Sequence, residues 1–141
     1  MTSAQRKSRG RGSPRVEAVL ISGLRASTLR VAYGTSKAGL AHLTRQQAAE
    51  LAQYGIRVNA VAPGPVDTAM AKAVHTPAIR ADYHDHIPLN RYGLESELAH
   101  AICFLCGDQA SYITGQVLAV DGGFDAAGVG LPTLRGERRN Q

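Results

Sequence analysis

Tyr33-Gly34-Thr35-Ser36-Lys37-Ala38-Gly39-Leu40 stands at the head of a helical pattern in a chain of 141 residues. Tyr33 and Lys37 are four residues apart, so on a helix they project from one face, one turn above the other. A phenol with an ordinary pKa near 10 exchanges protons poorly at neutral pH. An ammonium one turn away favours the phenolate and makes the pair a tuned acid/base. Tyr-x-x-x-Lys on its own is a weak signal, because surface helices carry it by chance.

Working outward, Leu40, Thr44, Ala48 and Leu51 continue the same face, so the spacing predicts a helix from about 31 to 54, closed by Gly55. Before it, the apolar run 16–21, bounded by Gly23, reads as a buried parallel strand. Residues 24–32 read as a polar loop. After it, 56–62 reads as a second strand stopped by Pro63-Gly64-Pro65. Strand, helix and strand in this order predict a right-handed βαβ unit. Residues 67–87 carry scattered apolar anchors (Met70, Ala71, Val74, Ile79, Ile87) and read as one or two short helices. Residues 95–106 read as a helix capped by Gly107, and 116–120 as a third strand, after which Asp121 fixes a turn. The expected architecture is α/β, with three adjacent parallel strands joined by two crossovers.

Four ordered stretches carry a family resemblance. They are Tyr33–Leu40, the run from Gly55 to Thr68 (GIRVNAVAPGPVDT), Pro88-Leu89-Asn90-Arg91, and Tyr112-Ile113-Thr114-Gly115-Gln116 with Asp121-Gly122-Gly123. Together they resemble the C-terminal half of the short-chain dehydrogenase/reductase family over about 19–124. The resemblance implies a partial doubly wound, Rossmann-like parallel sheet and an NAD(P)-dependent oxidoreductase interconverting an alcohol and a carbonyl. It implies NAD or NADP as cofactor and a small-molecule alcohol or carbonyl as substrate. By the same resemblance Tyr33 is the acid/base, and Lys37 holds the nicotinamide ribose and tunes the tyrosine. Pro63, Gly64, Val66 and Thr68 belong to the loop over the nicotinamide. The family's serine, thirteen residues before the tyrosine, falls on Leu20. Ser22 takes its role only if the intervening loop is shortened. A leucine there provides no donor for a developing oxyanion. The family's glycine-rich phosphate loop precedes all of these elements, and this sequence has no room for it. The alternative reading is therefore a truncated, catalytically weak fragment that acts through association with itself or with a full-length relative. The first strand's open edge is a site for pairing, so a homo-oligomer or an aggregation-prone species is expected.

Composition narrows the other classes. The net charge of +5 is concentrated in Arg6, Lys7, Arg9, Arg11 and Arg15, ahead of the first acidic residue, Glu17; the remainder balances eleven basic against eleven acidic residues. Residues 1–15 are expected to be a disordered basic tail, 16–124 the folded domain and 125–141 a flexible tail. Without aromatic interleaving, the tail does not predict nucleic-acid binding. Gly10-Arg11-Gly12 follows no strand and is interrupted by Pro14, so it is not read as a phosphate loop. No run approaches the roughly 20 apolar residues of a membrane span, and a cytoplasmic protein is expected. Cys103 and Cys106 are read as small core residues of a helix. His84, Asp85 and His86 with Asp82 are read as loop residues, and no metal site is expected.

Overall fold

The computed structural model describes residues 13–128. Its elements, in chain order, are β1 (Arg15–Ala18), α1 (Val31–Leu51), β2 (Val58–Pro63), α2 (Ala69–Val74), α3 (Pro77–His86), α4 (Glu95–Cys106) and β3 (Val117–Val120). Single 3₁₀ turns lie at Ile21–Gly23, Ala52–Tyr54 and Asp108–Ala110. The basic stretch 1–12 and residues 129–141 lie outside the described residues, so the expected tails fall largely there.

The sheet has the order β1-β2-β3 and both pairings are parallel. Ala18 is in register with Val61, and Pro63 with Val120. All six residues of β2 are buried. Because successive strand residues point to opposite faces, both faces of β2 must be covered. The helices packed on it are α1 and α4. Val19, Ala41 and Ala60 form a core cluster, joined by Leu40 and Val117. Thr44, on the buried face of α1, donates its hydroxyl to the Leu40 carbonyl at 3.0 Å, which satisfies that buried polar atom.

The first strand differs from the reading of 16–21. It begins at Arg15, whose N–H donates to the Arg57 carbonyl, because ladder pairing engages the backbone whatever the side chain. It ends at Ala18 because Leu20 adopts φ 67°, ψ 146°, which turns the chain out of the ladder. The helix read to residue 54 ends its α-form at Leu51 and tightens into the 3₁₀ turn, with Gly55 closing it at φ 74°.

Residues 67–87 resolve into two helices, each started by a threonine. Thr68 Oγ1 accepts from the Ala71 N–H at 3.1 Å, and Thr76 Oγ1 accepts from the Ile79 N–H at 3.3 Å, with Pro77 at the first helical position. Ala71 and Ile87 are anchored, whereas Met70, Val74 and Ile79 face solvent. Cys103 and Cys106 are also exposed, against the core reading. The buried stripe of α4 runs through Leu98, Ala101 and Leu105, and both cysteines lie off it. None of the described helices is long and apolar enough to cross a membrane.

Candidate active site

Parallel strands bring their C-terminal ends, Ala18, Pro63 and Val120, to one edge of the sheet. Since α1 leads back to the start of β2, its first turns, with Tyr33 and Lys37, lie at that same edge. Tyr33 is 37 % exposed and Lys37 half-buried. Lys37 Nζ sits over the Tyr33 ring, 5.7 Å from its centroid, and the Arg30 guanidinium lies 5.3 Å from it. Two cations therefore attend the phenol ring. Arg30 was not singled out in the sequence. Its only signal there is a position three residues before Tyr33.

Ser22 lies in the Ile21–Gly23 turn, which closes directly onto α1. A Cβ added at Gly23 would lie 2.7 Å from the Lys37 carbonyl carbon, and one at Gly34 would lie 3.0 Å from the Ser22 carbonyl oxygen. Bare backbone at both positions is what allows the Ser22 turn to rest against the Tyr33–Lys37 turn. Leu20, immediately before, holds the place where the family resemblance expects serine.

Across the edge, the Gly64 N–H donates to the Val120 carbonyl at 3.1 Å, and a Cβ on Gly64 would lie 2.7 Å from Asp121 Cα. Asp121 fixes the facing turn, as its sequence position suggested, accepting from the N–H groups of Gly123 (2.8 Å) and Asp125 (2.7 Å). Val66 forms an isolated parallel bridge with Gly93. In it the Asp67 N–H donates to the Gly93 carbonyl, and the Gly93 N–H donates to Pro65, both at 2.9 Å. Such a bridge uses the groups flanking Val66 and directs the Val66 N–H to the other side of the segment. The loop also carries the Thr68 hydroxyl, whose oxygen caps α2. A cavity of about 530 Å³ lies between this loop and the start of α4, walled by Val66, Leu89, Arg91, Leu94, Leu98 and Val120.

The charges beside the loop are paired. Asp67 meets Arg80 at 2.8 Å and Lys72 at 3.3 Å, and the Arg80 hydrogen bond foremost holds its carboxyl below the usual range. Glu97 takes a bidentate grip on Arg91 and accepts from the Leu94 N–H at 2.7 Å. Arg91 first, then that N–H, bring its pKa down to about 2. Burial raises the pKa of Tyr92. Of the residues imagined as a metal cluster, His84 packs edge-on to Tyr92, and His86 Nδ1 lies 2.7 Å from the Asp82 carbonyl oxygen.

A parallel α/β sheet with a Tyr-x-x-x-Lys helix and a Pro-Gly loop at its C-terminal edge defines a Rossmann-like oxidoreductase architecture. A family model described as enoyl-(acyl carrier protein) reductase matches residues 1–125, and the chain belongs to the short-chain dehydrogenase/reductase family. It is 48% identical over 94 residues to 3-oxoacyl-[acyl-carrier-protein] reductase FabG of Aquifex aeolicus, covering 67% of this chain and 38% of that protein. A solved structure of 7α-hydroxysteroid dehydrogenase complexed with NADH and 7-oxo glycochenodeoxycholic acid superposes with a TM-score of 0.77 at 35% identity, covering 80% of this chain and 44% of that one. A 4-hydroxyisoleucine dehydrogenase mutant complexed with NADH and succinate gives a TM-score of 0.79 at 34% identity, covering 88% of this chain and 52% of that one. The chain spans less than half the length of the curated relatives named here.

Proposed function

We propose that this chain carries the proton-transfer and nicotinamide-facing part of an NAD- or NADP-dependent oxidoreductase that interconverts an alcohol and a carbonyl. Tyr33 Oη gives a proton to the carbonyl oxygen during reduction and takes it back during oxidation. Lys37 holds the ribose hydroxyls beside the Tyr33 ring. Ser22 donates to the substrate oxygen, and Pro63, Gly64, Val66 and Thr68 frame the carboxamide. When bound, the nicotinamide supplies or accepts the hydride. The observation that carries this reading is the stacking of Lys37 Nζ on Tyr33 at the sheet edge that also bears the Pro63–Thr68 loop. The substrate is a small polar or steroid-like alcohol or ketone, and the protein is proposed to be cytoplasmic.

All of these contacts are to the nicotinamide end of the cofactor. Reduced nicotinamide mononucleotide, titrated to millimolar concentration and followed by amide chemical shifts, should therefore perturb Tyr33, Lys37, Val66 and Thr68. NADH should bind this chain only weakly, with little advantage from its second nucleotide. Absence of shifts at these four residues overturns the assignment, and micromolar NADH affinity overturns the restriction to the nicotinamide end.

A second reading is a catalytically weak chain that works by association with itself or with a longer relative. It is favoured by β1 at the edge of the sheet order and by the exposed Leu43 on α1. Sedimentation at high concentration should show species above 14.9 kDa; a single species of that mass, melting cooperatively, would overturn this reading.

A further inference from the structure

Helices α2 and α3 have little sheet beneath them. What joins them to the body is a side-chain network that neither the proton-transfer pair nor the carboxamide loop uses. Asp67 stands between Val66 and Thr68 and sends one carboxylate oxygen to each helix, Oδ2 to Lys72 of α2 (3.3 Å) and Oδ1 to Arg80 of α3 (2.8 Å). The Arg80 guanidinium lies 4.6 Å from the centroid of the Tyr92 ring. Tyr92 Oη meets His75 Nδ1 at 2.9 Å, at the junction of α2 and α3. His75 stacks on Tyr83, and Tyr83 packs on Tyr92 and Phe124. Tyr92 is 5 % exposed and belongs to a core cluster with Ala71 and Ile87. The next residue, Gly93, bridges the Val66 segment. Beside the Thr68 cap that starts α2, the side-chain links from the loop to the two helices thus pass through Asp67 or the Tyr92–Gly93 step.

We propose that Asp67 is a positioning residue. Its two ion pairs tie the α2–α3 cover to the Val66–Thr68 loop, so that the cover moves with the loop as one unit. The inference rests on the reading above for its functional meaning: a loop placed over a nicotinamide would set the position of the cover on the substrate side. Physically, a carboxylate shared by two cations on different helices restrains both, and a guanidinium held on an aromatic face has little freedom to leave. The segment's exposed Met70, Val74 and Ile79 show that apolar burial does not do this work along most of its length.

Amide hydrogen exchange on the whole chain tests the coupling without cofactor or substrate, so its failure is separate from failure of the nicotinamide titration. In the parent chain, the amides of Asp67 and Gly93 and those of α2 and α3 should share one opening rate. Asp67→Asn keeps size and removes the charge. It should speed exchange in α2 and α3 roughly fivefold, the range expected for part-exposed ion pairs, while leaving the β2 and β3 amides unchanged. Arg80→Met should do the same. The reversed pair, Asp67→Arg with Arg80→Asp, should restore part of the protection in α3 and none in α2, where the new guanidinium faces Lys72; a merely structural role of either residue alone would give no such split. Unchanged exchange in α2 and α3, or equal acceleration across the sheet, overturns the proposal. So does a parent chain whose loop and helices already open at different rates.

Discussion

Arg57 sits at the foot of β2 and gathers the end of α4. Its Nη1 donates to the carbonyls of Leu105 (2.8 Å) and Ile113 (3.2 Å), and its Nη2 to Gly107 (3.1 Å) and Cys106 (3.4 Å). Those of Leu105 and Cys106 belong to the last turn of α4, where a helix leaves its acceptors without intrahelical partners; those of Gly107 and Ile113 are shared with the Ala110 N–H and the Asn59 amide. A fixed guanidinium fork is suited to several acceptors at once, and its charge complements the negative end of the helix. The same strand, six residues on, presents Pro63 and the loop. Loosening its foot therefore bears on the site as well as on stability.

Arg57→Ala removes three well-formed charge-assisted bonds and one long one. Hydrogen bonds to charged groups contribute about 1.5–3 kcal/mol each when isolated. They are not additive here, and carbonyls near the surface recover water when released. The expected loss is about 3 kcal/mol. With a urea slope of about 2 kcal/mol/M for a domain of this size, the midpoint should fall by about 1.5 M. The chain has no tryptophan, so far-ultraviolet circular dichroism is the signal to follow. Arg57→Lys, with a single ammonium able to reach only part of the set, should fall between the two. A midpoint within about 0.3 M of the parent for Arg57→Ala would refute the reasoning, and so would a lysine variant that matches the parent.

Gly64→Ala should destabilise and displace the loop, because the added methyl meets Asp121 backbone at 2.7 Å; a lowered midpoint and shifted Val66 and Thr68 amides are the readouts. Asn59→Leu should cost about 2–3 kcal/mol, since the buried Asn59 amide donates to the Ile113 carbonyl (2.9 Å) and its oxygen accepts from the Gln116 N–H (3.1 Å). Urea melts check it. Glu97 has a folded pKa of about 2 against an ordinary 4.5, so its contribution is present above 4.5 and lost as pH falls toward 2. The stability difference between the parent and Glu97→Gln should hold steady from neutrality to the upper end of that window, narrow within it, and shrink in high salt.

The features legible in the sequence were those set by local pattern. The PGP stop after 56–62, the Glu95–Cys106 span and the apolar run 116–120 each announce an element, and their order gives the parallel sheet. The Tyr33–Lys37 face follows from helical spacing alone. What escaped depends on contacts distant in sequence or on backbone angle. Nothing in an unbroken apolar run at 16–21 marks Leu20 as the residue that leaves the ladder. The exposure of Cys103 and Cys106 depends on which stripe of α4 meets the sheet, and two small residues three apart fit either side. Asp67 and Arg80 are thirteen residues apart and meet only because two threonine-capped helices fold back on the loop.

Leu20 and Ser22 bear on the donor to the substrate oxygen in the proposed chemistry. Leu20 sits at a backbone conformation that costs a non-glycine residue about 1–3 kcal/mol. It is held there from both sides: Val19 is fully buried with its N–H on the Val61 carbonyl, and the Gly23 turn is pressed against Lys37. That bend is what carries the chain from the strand to Ser22 beside Gly34. Two other hydroxyls near Tyr33 are committed within α1, Thr35 donating to the Val31 carbonyl and Ser36 to the Tyr33 carbonyl, both at 2.7 Å. A leucine side chain donates nothing. The role proposed for Ser22 is the one the family resemblance implies, and it ties the proposed chemistry of this chain to the strained turn that delivers Ser22 to the helix.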